Sequence, residues 1–427
     1  MNLAEISVLA LVLAVVVSCV SRLNVGVLAI ALAWIVGVYI GGIPVNTVMA
    51  GFPGQLCLTL IGVTLLFALA ETNGTLRRIV HYAVRVCRGN RGTIPIMFFG
   101  LGAALSSMGP GNIATAALLA PLAMATAAGT GIPLFLMAIM VGNGANSGSL
   151  SPFAPTGIIV NGIMARNGLP GLEWQTYAYN LAAHALVAFG GYAVFGGLKL
   201  FARSESRSGG APPAIDFPVP APAAGEAASS REQFERRHWI TLAVIAALIL
   251  SVIFANVHVG MGAFLGAVIL VLTGSSDDGE AFKRMPWRVI VMVSGVTVLI
   301  SLVERTQGLD LLVSQITRVS SGSTVAPLMA SLTGVVSVYS STSGVVLPAF
   351  LPMVPGLAER LPGASPLDIA TAMNVGGHLV DLSPLSTLGA LCLAGAPLEA
   401  SRTLFNQLLA WGLSMCIVGG LLGYLIL

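Results

Sequence analysis

The oxygens and amides of this chain that could do chemistry are concentrated in four short segments, each interrupting an apolar run. They are Ser106–Asn112, Gly142–Pro155, Ser337–Gly344 and Gly376–Thr387. Unwound carbonyls and Ser, Thr and Asn oxygens suit a small, hard cation such as sodium. Half-helix N-termini aim partial positive charge and free N–H groups inward, which suits a carboxylate. The candidate oxygens are Ser107, Asn112, Ser147, Ser149 and Ser151 in the first pair of segments. In the second pair they are Ser337, Ser341, Thr342, Ser343, Ser383, Ser386 and Thr387. Small residues also let membrane helices pack closely, and for any single serine that reading competes. Four clusters in two matching pairs favour a binding site.

Asp381 is the only carboxylate in any of the four breaks, one residue before Leu382-Ser383-Pro384. An ionisable group at membrane depth is a functional candidate by default. A cation ligand is the favoured role; a protonatable coupling group and a structural hydrogen-bonding group stay open. His378, a turn earlier, could tune it or simply pack. Glu71 and Glu304, at matching helix ends, read as interfacial anchors or hinges. Lys and Arg are absent from the hairpins and broken crossings except for Arg166 and Arg360 at element ends. A dianion there would be held by dipoles, hydroxyls, amides and a bound cation, which gives a reason for coupling.

The elements that position these residues follow from the hydropathy. The chain has 427 residues, is 56% hydrophobic and only 9% charged, and has a mean hydropathy of +0.90. That composition marks a polytopic, all-α membrane protein. Apolar runs at 5–21, 25–41, 55–71, 132–166, 177–203, 239–256, 261–273, 289–304, 366–396 and 401–427 are the candidate crossings, with 132–166 and 366–396 broken by polar segments. The 261–273 run is short and is expected to borrow from Val257–Gly260. Stretches 93–128 and 324–361 read as hairpins with legs of roughly fifteen residues, short of the ~20 a span needs, and hence as re-entrant. Broken helices at membrane depth survive only buried in protein or lining a cavity.

Residues 204–238, rich in Pro, Ala, Gly, Ser and charge, read as a flexible cytoplasmic linker between two repeats, 1–203 and 239–427. Thr64-Leu-Leu-Phe-Ala-Leu-Ala-Glu71 echoes Thr297-Val-Leu-Ile-Ser-Leu-Val-Glu304, and Leu150-Ser-Pro-Phe-Ala-Pro-Thr-Gly157 matches Leu382-Ser-Pro-Leu-Ser-Thr-Leu-Gly389. Five crossings per half is an odd number, so the second repeat is predicted upside down. If the Arg-rich arm 75–91 is cytoplasmic, every basic residue except Arg166, Arg305, Arg318 and Arg360 falls inside. Both termini are then outside, in a bacterial-type inner membrane, and the arm lies on the bilayer surface. Met1–Glu5 carries no Lys or Arg, so a retained first span is expected rather than a signal peptide.

The sequence also argues against other classes. The net charge of +3 is too small and scattered for nucleic acid. The five cysteines form no C-x-x-C pair, so neither a disulfide framework nor a zinc site is expected. Gly142-Asn-Gly144 lacks the βαβ context of a nucleotide loop. The histidines are dispersed and no catalytic motif is present, so no enzyme and no cofactor are expected. A channel needs a continuous pore lining, whereas these polar residues form two clusters.

Gly51-Phe-Pro-Gly54, Gly62-Val-Thr-Leu-Leu-Phe67 and Asn73-Gly-Thr-Leu76 resemble the N-terminal signature of MatC-type malonate/dicarboxylate carriers. The wider pattern is similar to the divalent-anion:sodium symporters of the ion transporter superfamily. Ser107-Met-Gly-Pro-Gly111-Asn112 resembles the first hairpin tip of that group, with Gly111 and Ile113 in place of Ser and Thr. Ser337-Val-Tyr-Ser-Ser341-Thr342-Ser343 resembles the second, with Thr342 where the group has Asn. The resemblance implies a homodimeric elevator that imports a small dicarboxylate, malonate first, with sodium ahead of protons. On this reading the substrate residues are Asn112, Ser149, Ser151, Pro152, Thr342, Ser343, Ser383, Pro384 and Thr387. The cation residues are Ser107, Asn112, Gly144, Ser147, Ser337, Ser341, Thr342 and Asp381. A proton-coupled carrier or a cation/proton exchanger is the rival.

Overall fold

The computed structural model of the chain describes residues 2–21, 23–86, 91–200 and 234–425. Arg22, Arg88 and residues 204–233 of the expected linker lie outside them. All regular structure among the described residues is helical. The first half contains α1 (Leu3–Val20), α2 (Val25–Trp34, continued as a π turn to Ile40), α3 (Val45–Met49), α4 (Gly54–Thr72) and the arm α5 (Thr75–Val86). It continues with α6 (Thr93–Met108), α7 (Gly111–Thr130), α8 (Leu134–Ser147), α9 (Pro155–Arg166) and α10 (Glu173–Val194). The second half repeats that order. Its elements are α11 (Arg236–Ala255), α12 (Val259–Leu272), α13 (Asp278–Arg284), α14 (Trp287–Arg305) and the arm α15 (Gly308–Val319). After them come α16 (Val325–Tyr339), α17 (Thr342–Arg360), α18 (Pro366–Leu379), α19 (Thr387–Ala394) and α20 (Leu398–Leu425). Among the described residues, eight helices are long and apolar enough to cross a membrane, and α2, α6, α8, α12 and α16 are shorter apolar helices.

Glycines let the halves embrace. A Cβ on Gly295 of α14 would lie 2.6 Å from the Gly26 Cα of α2, and one on Gly260 of α12 would lie 2.7 Å from the Thr59 Cα of α4. A Cβ on Gly62 would likewise meet the Gly260 carbonyl at 2.5 Å. Each second span thus packs backbone-to-backbone against the third span of the other half, and the two crossings exchange equivalent partners. Two apolar cores result. One joins α1, α2, α4, α11, α12 and α14 with α9 and α17. The other joins α6, α7, α8, α10, the end of α18 and α20. The last long helix of each half, α10 or α20, therefore packs with the hairpins and broken helices, not with α1, α2, α4, α11, α12 or α14.

The α12 helix starts at Val259 with His258 as its N-cap, so it borrows two residues of the expected four. The second hairpin legs, α7 and α17, run 20 and 19 residues, longer than the sequence suggested. Pro121 is absorbed inside α7 rather than ending it. The first tip turns on Gly109 and Gly111, at φ +140° and +76°. A side chain would strain both, which accounts for Gly111 standing where the resembled group has Ser.

Candidate functional site

The second break builds the most concentrated set of oxygens. Asp381 sits in a 3₁₀ turn (Val380–Leu382) between α18 and α19 and is buried. Its Oδ1 accepts from the Thr342 hydroxyl at 2.6 Å. Thr342 Oγ1 also lies 3.0 Å from the Ser337 hydroxyl and 3.3 Å from the Gly377 carbonyl. With its one proton given to the carboxylate, Thr342 accepts from Ser337. Ser386 Oγ donates to the Asp381 carbonyl and folds the break closed. A Cβ on Gly377 would lie 2.8 Å from the Thr342 methyl, so this glycine lets the hairpin tip reach the broken helix. Carboxylate, hydroxyl and carbonyl oxygens at this spacing suit a small, hard cation.

Asn146 ties the first half to this cluster. Its Oδ1 accepts from Asn112 Nδ2 at the first hairpin tip (2.8 Å), and its Nδ2 donates to the His378 carbonyl at 2.9 Å. The Asn112–Asn146, Asn146–His378 and Thr342–Asp381 bonds therefore link both hairpin tips and both broken helices. By the Leu-Ser-Pro register, Asn146 and His378 are equivalent positions, and their bond joins the two halves here. Asn180 of α10 donates to the carbonyls of Asn146 and Ser147 at 2.8 and 3.2 Å and caps the broken end of α8.

The remaining candidates divide. Asn112, Ser341, Thr342, Ser343, Asp381 and Thr387 line a single cavity of about 430 Å³. Ser337 lies behind Thr342. Ser107 Oγ donates to the Ala103 carbonyl (2.6 Å) and lies 2.9 Å from the Tyr177 hydroxyl, away from that cavity. Ser151 donates to the Ser107 carbonyl at 2.7 Å, tying the first broken helix to its hairpin. Ser147 donates to the Gly144 carbonyl, and Ser149 to that of Asn146, so both serines complete the local turn. Ser383 is buried beneath Gly412 of α20, and Pro152 and Pro384 shape the breaks outside the cavity lining.

Three helix N-termini open onto the cavity: α7 through Asn112 and Ile113, α17 through Thr342 and Ser343, and α19 through Thr387 and Leu388. Each contributes partial positive charge, with the Ile113 N–H held by Asn112 Oδ1 and the Gly344 N–H by Ser341 Oγ. The cavity also reaches Ser18 and Ser21 on α1 and its exit, and Arg288 near the start of α14. Ser18 Oγ lies 2.7 Å from Ser340 Oγ, joining α1 to the second tip.

Sequence reading missed Asn146, Asn180 and the buried His184, whose Nδ1 lies 2.9 Å from Asn143 Oδ1. The signal for Asn146 lay in the first break, three residues before Ser149. Asn180 and His184 look like ordinary helix residues and carry none. Beneath the site, Asn180 Oδ1, His184 Nε2, His378 Nε2 and both polar atoms of the Asn374 amide lack a protein partner.

Fold and site together define a multi-pass helical membrane protein whose polar centre is assembled from two hairpin tips and two broken helices. Residues 1–149 match the family model described as the dicarboxylate carrier protein MatC N-terminus. The resemblance read from the sequence is thereby shown over those residues. No curated protein sequence matches the chain. Among solved structures it is similar to the Alcanivorax borkumensis YdaH transporter, whose crystal structure is described as having an unusual topology. That similarity has a TM-score of 0.59 at 17% identity, over 89% of this chain and 86% of the other. At this identity the likeness is one of fold alone.

Proposed function

We propose that the chain is a secondary active transporter that imports a small dicarboxylate, malonate first, coupled to sodium. The observation that carries this reading is the convergence of three helix N-termini and the Asp381–Thr342–Ser337 oxygens on one cavity of about 430 Å³. The N-termini suit the carboxylates, from Asn112 and Thr342 at the tips and Ser343 and Thr387 beside them. The oxygens around Asp381 suit sodium. Without the cation the Asp381 carboxylate repels a dianion; with it the site is compensated, so the two bind together.

The fold supports an elevator in which hairpins, broken helices, α10 and α20 form the moving body, within an inverted pair of five-crossing repeats. A homodimer, an inner-membrane location and termini outside complete the proposal from the charge pattern and the resemblance. Catalysis has no place in it. A proton-coupled carrier is the second reading, favoured by the burial of Asp381 inside the site.

Uptake of labelled malonate into proteoliposomes tests the proposal. Sodium-driven accumulation that saturates supports it. Accumulation driven by an inward proton gradient alone transfers Asp381 from cation ligand to proton carrier. Flux that neither saturates nor accumulates sinks the carrier reading.

A further inference from the structure

We propose that Arg288 is the residue that engages the anion at the mouth of the cavity and sets affinity from the face onto which it opens, the cytoplasmic, release side of an importer on the charge pattern above. This rests on the dicarboxylate reading above and adds a residue which that reading does not contain. Arg288 is the second residue of α14, is exposed, and lines the same cavity as Asn112, Thr342 and Asp381. It is the only Lys or Arg among the described residues that line it. The Asn24 side chain donates to the Arg288 carbonyl at 3.0 Å, which ties the first turn of α14 to the α1–α2 turn. Ser21 and Leu23 of that turn also line the cavity, so Arg288 marks its entrance and not its floor.

Charge and architecture make the placement useful. The hairpins and broken helices supply only partial charges and one carboxylate, so a dianion on the moving body has no full positive partner except a bound cation. A guanidinium offers a planar fork matched to a carboxylate. Standing on the first core, it would touch the cargo only while the cavity faces its side. It therefore concentrates the anion at one face without travelling with it, since a full positive charge at an entrance raises the local anion concentration. An ordinary surface arginine would satisfy the positive-inside bias equally well. Lining the cavity that holds the site is what distinguishes Arg288.

The test measures half-saturating malonate from each face, in right-side-out and inside-out vesicles, for wild type, Arg288→Gln and Arg288→Lys. Arg288→Gln should raise it about tenfold on the Arg288 face, with Arg288→Lys within about threefold of wild type. Raising the ionic strength at constant sodium should weaken wild type on that face and leave Arg288→Gln nearly flat. A thermal transition in detergent checks that the variants fold. If wild type transports malonate and Arg288→Gln matches it on both faces, the Arg288 assignment is wrong and the carrier reading stands. If Arg288→Gln does not fold, an ionic-strength-independent wild type overturns the assignment equally. If wild type moves no dicarboxylate, the functional reading fails and this assignment with it.

Discussion

Replacing Thr342 with valine removes one hydroxyl from the centre of the site while keeping its shape. In wild type that hydroxyl donates to Asp381 Oδ1 at 2.6 Å and lies 3.0 Å from Ser337 Oγ. A buried hydrogen bond to a charged group contributes about 1.5–3 kcal/mol, and each 1.4 kcal/mol is about tenfold in an equilibrium constant. If the Thr342 oxygen is also a cation ligand, Thr342→Val should raise half-saturating sodium by about 10- to 100-fold. Thr342→Ser keeps the oxygen and should stay within about threefold, since it loses only a methyl group beside Gly377. The assay is initial malonate uptake against external sodium in proteoliposomes, with malonate saturating. Protein stability, read as the thermal transition in detergent, should fall by a few degrees at most. Unchanged sodium dependence in a folded Thr342→Val variant would show that Thr342 and Asp381 do not hold the cation, and the coupling argument built on them would be wrong.

Three further outcomes follow from the packing. Asn146→Ala strands the Asn112 amide and removes the side-chain tie to the His378 carbonyl. It should cost about 1–3 kcal/mol of stability, measured by chemical denaturation, and reduce uptake more than tenfold. Gly26→Val drives a side chain into the backbone of α14 and should sharply lower the yield of folded protein in size-exclusion chromatography. Gly190→Ala, which meets open space, should behave as wild type. With Cys19 replaced by serine, a Ser18→Cys/Ser340→Cys pair should crosslink under mild oxidation and arrest uptake until reduced. Uptake that continues in the fully crosslinked protein would show that the second tip does not separate from α1 during the cycle.

Much of this architecture could be read from residue order because hydrocarbon punishes exposed backbone: a Ser/Gly/Pro break in an apolar run has few structural explanations. The Leu-Ser-Pro repeat carried further information than its three letters. Gly157 and Gly389, seven residues after each leucine, face the Ser151 and Ser383 carbonyls so closely that neither tolerates a side chain. The two motifs encode one turn. Thr342 and Asp381 were legible because polar groups are costly at that depth. Asn146 was harder, since its partners at 112 and 378 are brought to it only by packing, the second of them from the other half. Asn180 and His184 sit in a long apolar span where one amide or imidazole reads as packing. Arg288 was placed with the other inner-face basic residues by charge, and nothing in its neighbourhood tells that the first turn of α14 lines the cavity. The glycines at 26, 62, 260 and 295 show the same limit: small residues are common in membrane helices, and only the crossing reveals which ones touch.

Joint occupancy of one cavity by anion and cation is tested most directly by malonate binding to purified protein in detergent. Isothermal titration calorimetry would compare sodium with an equal concentration of choline. The account predicts that malonate binds at least about tenfold more tightly in sodium, that malonate tightens sodium by the same factor, and that Asp381→Asn abolishes the coupling. Malonate affinity that is the same in sodium and choline, or coupling that survives Asp381→Asn, would contradict it.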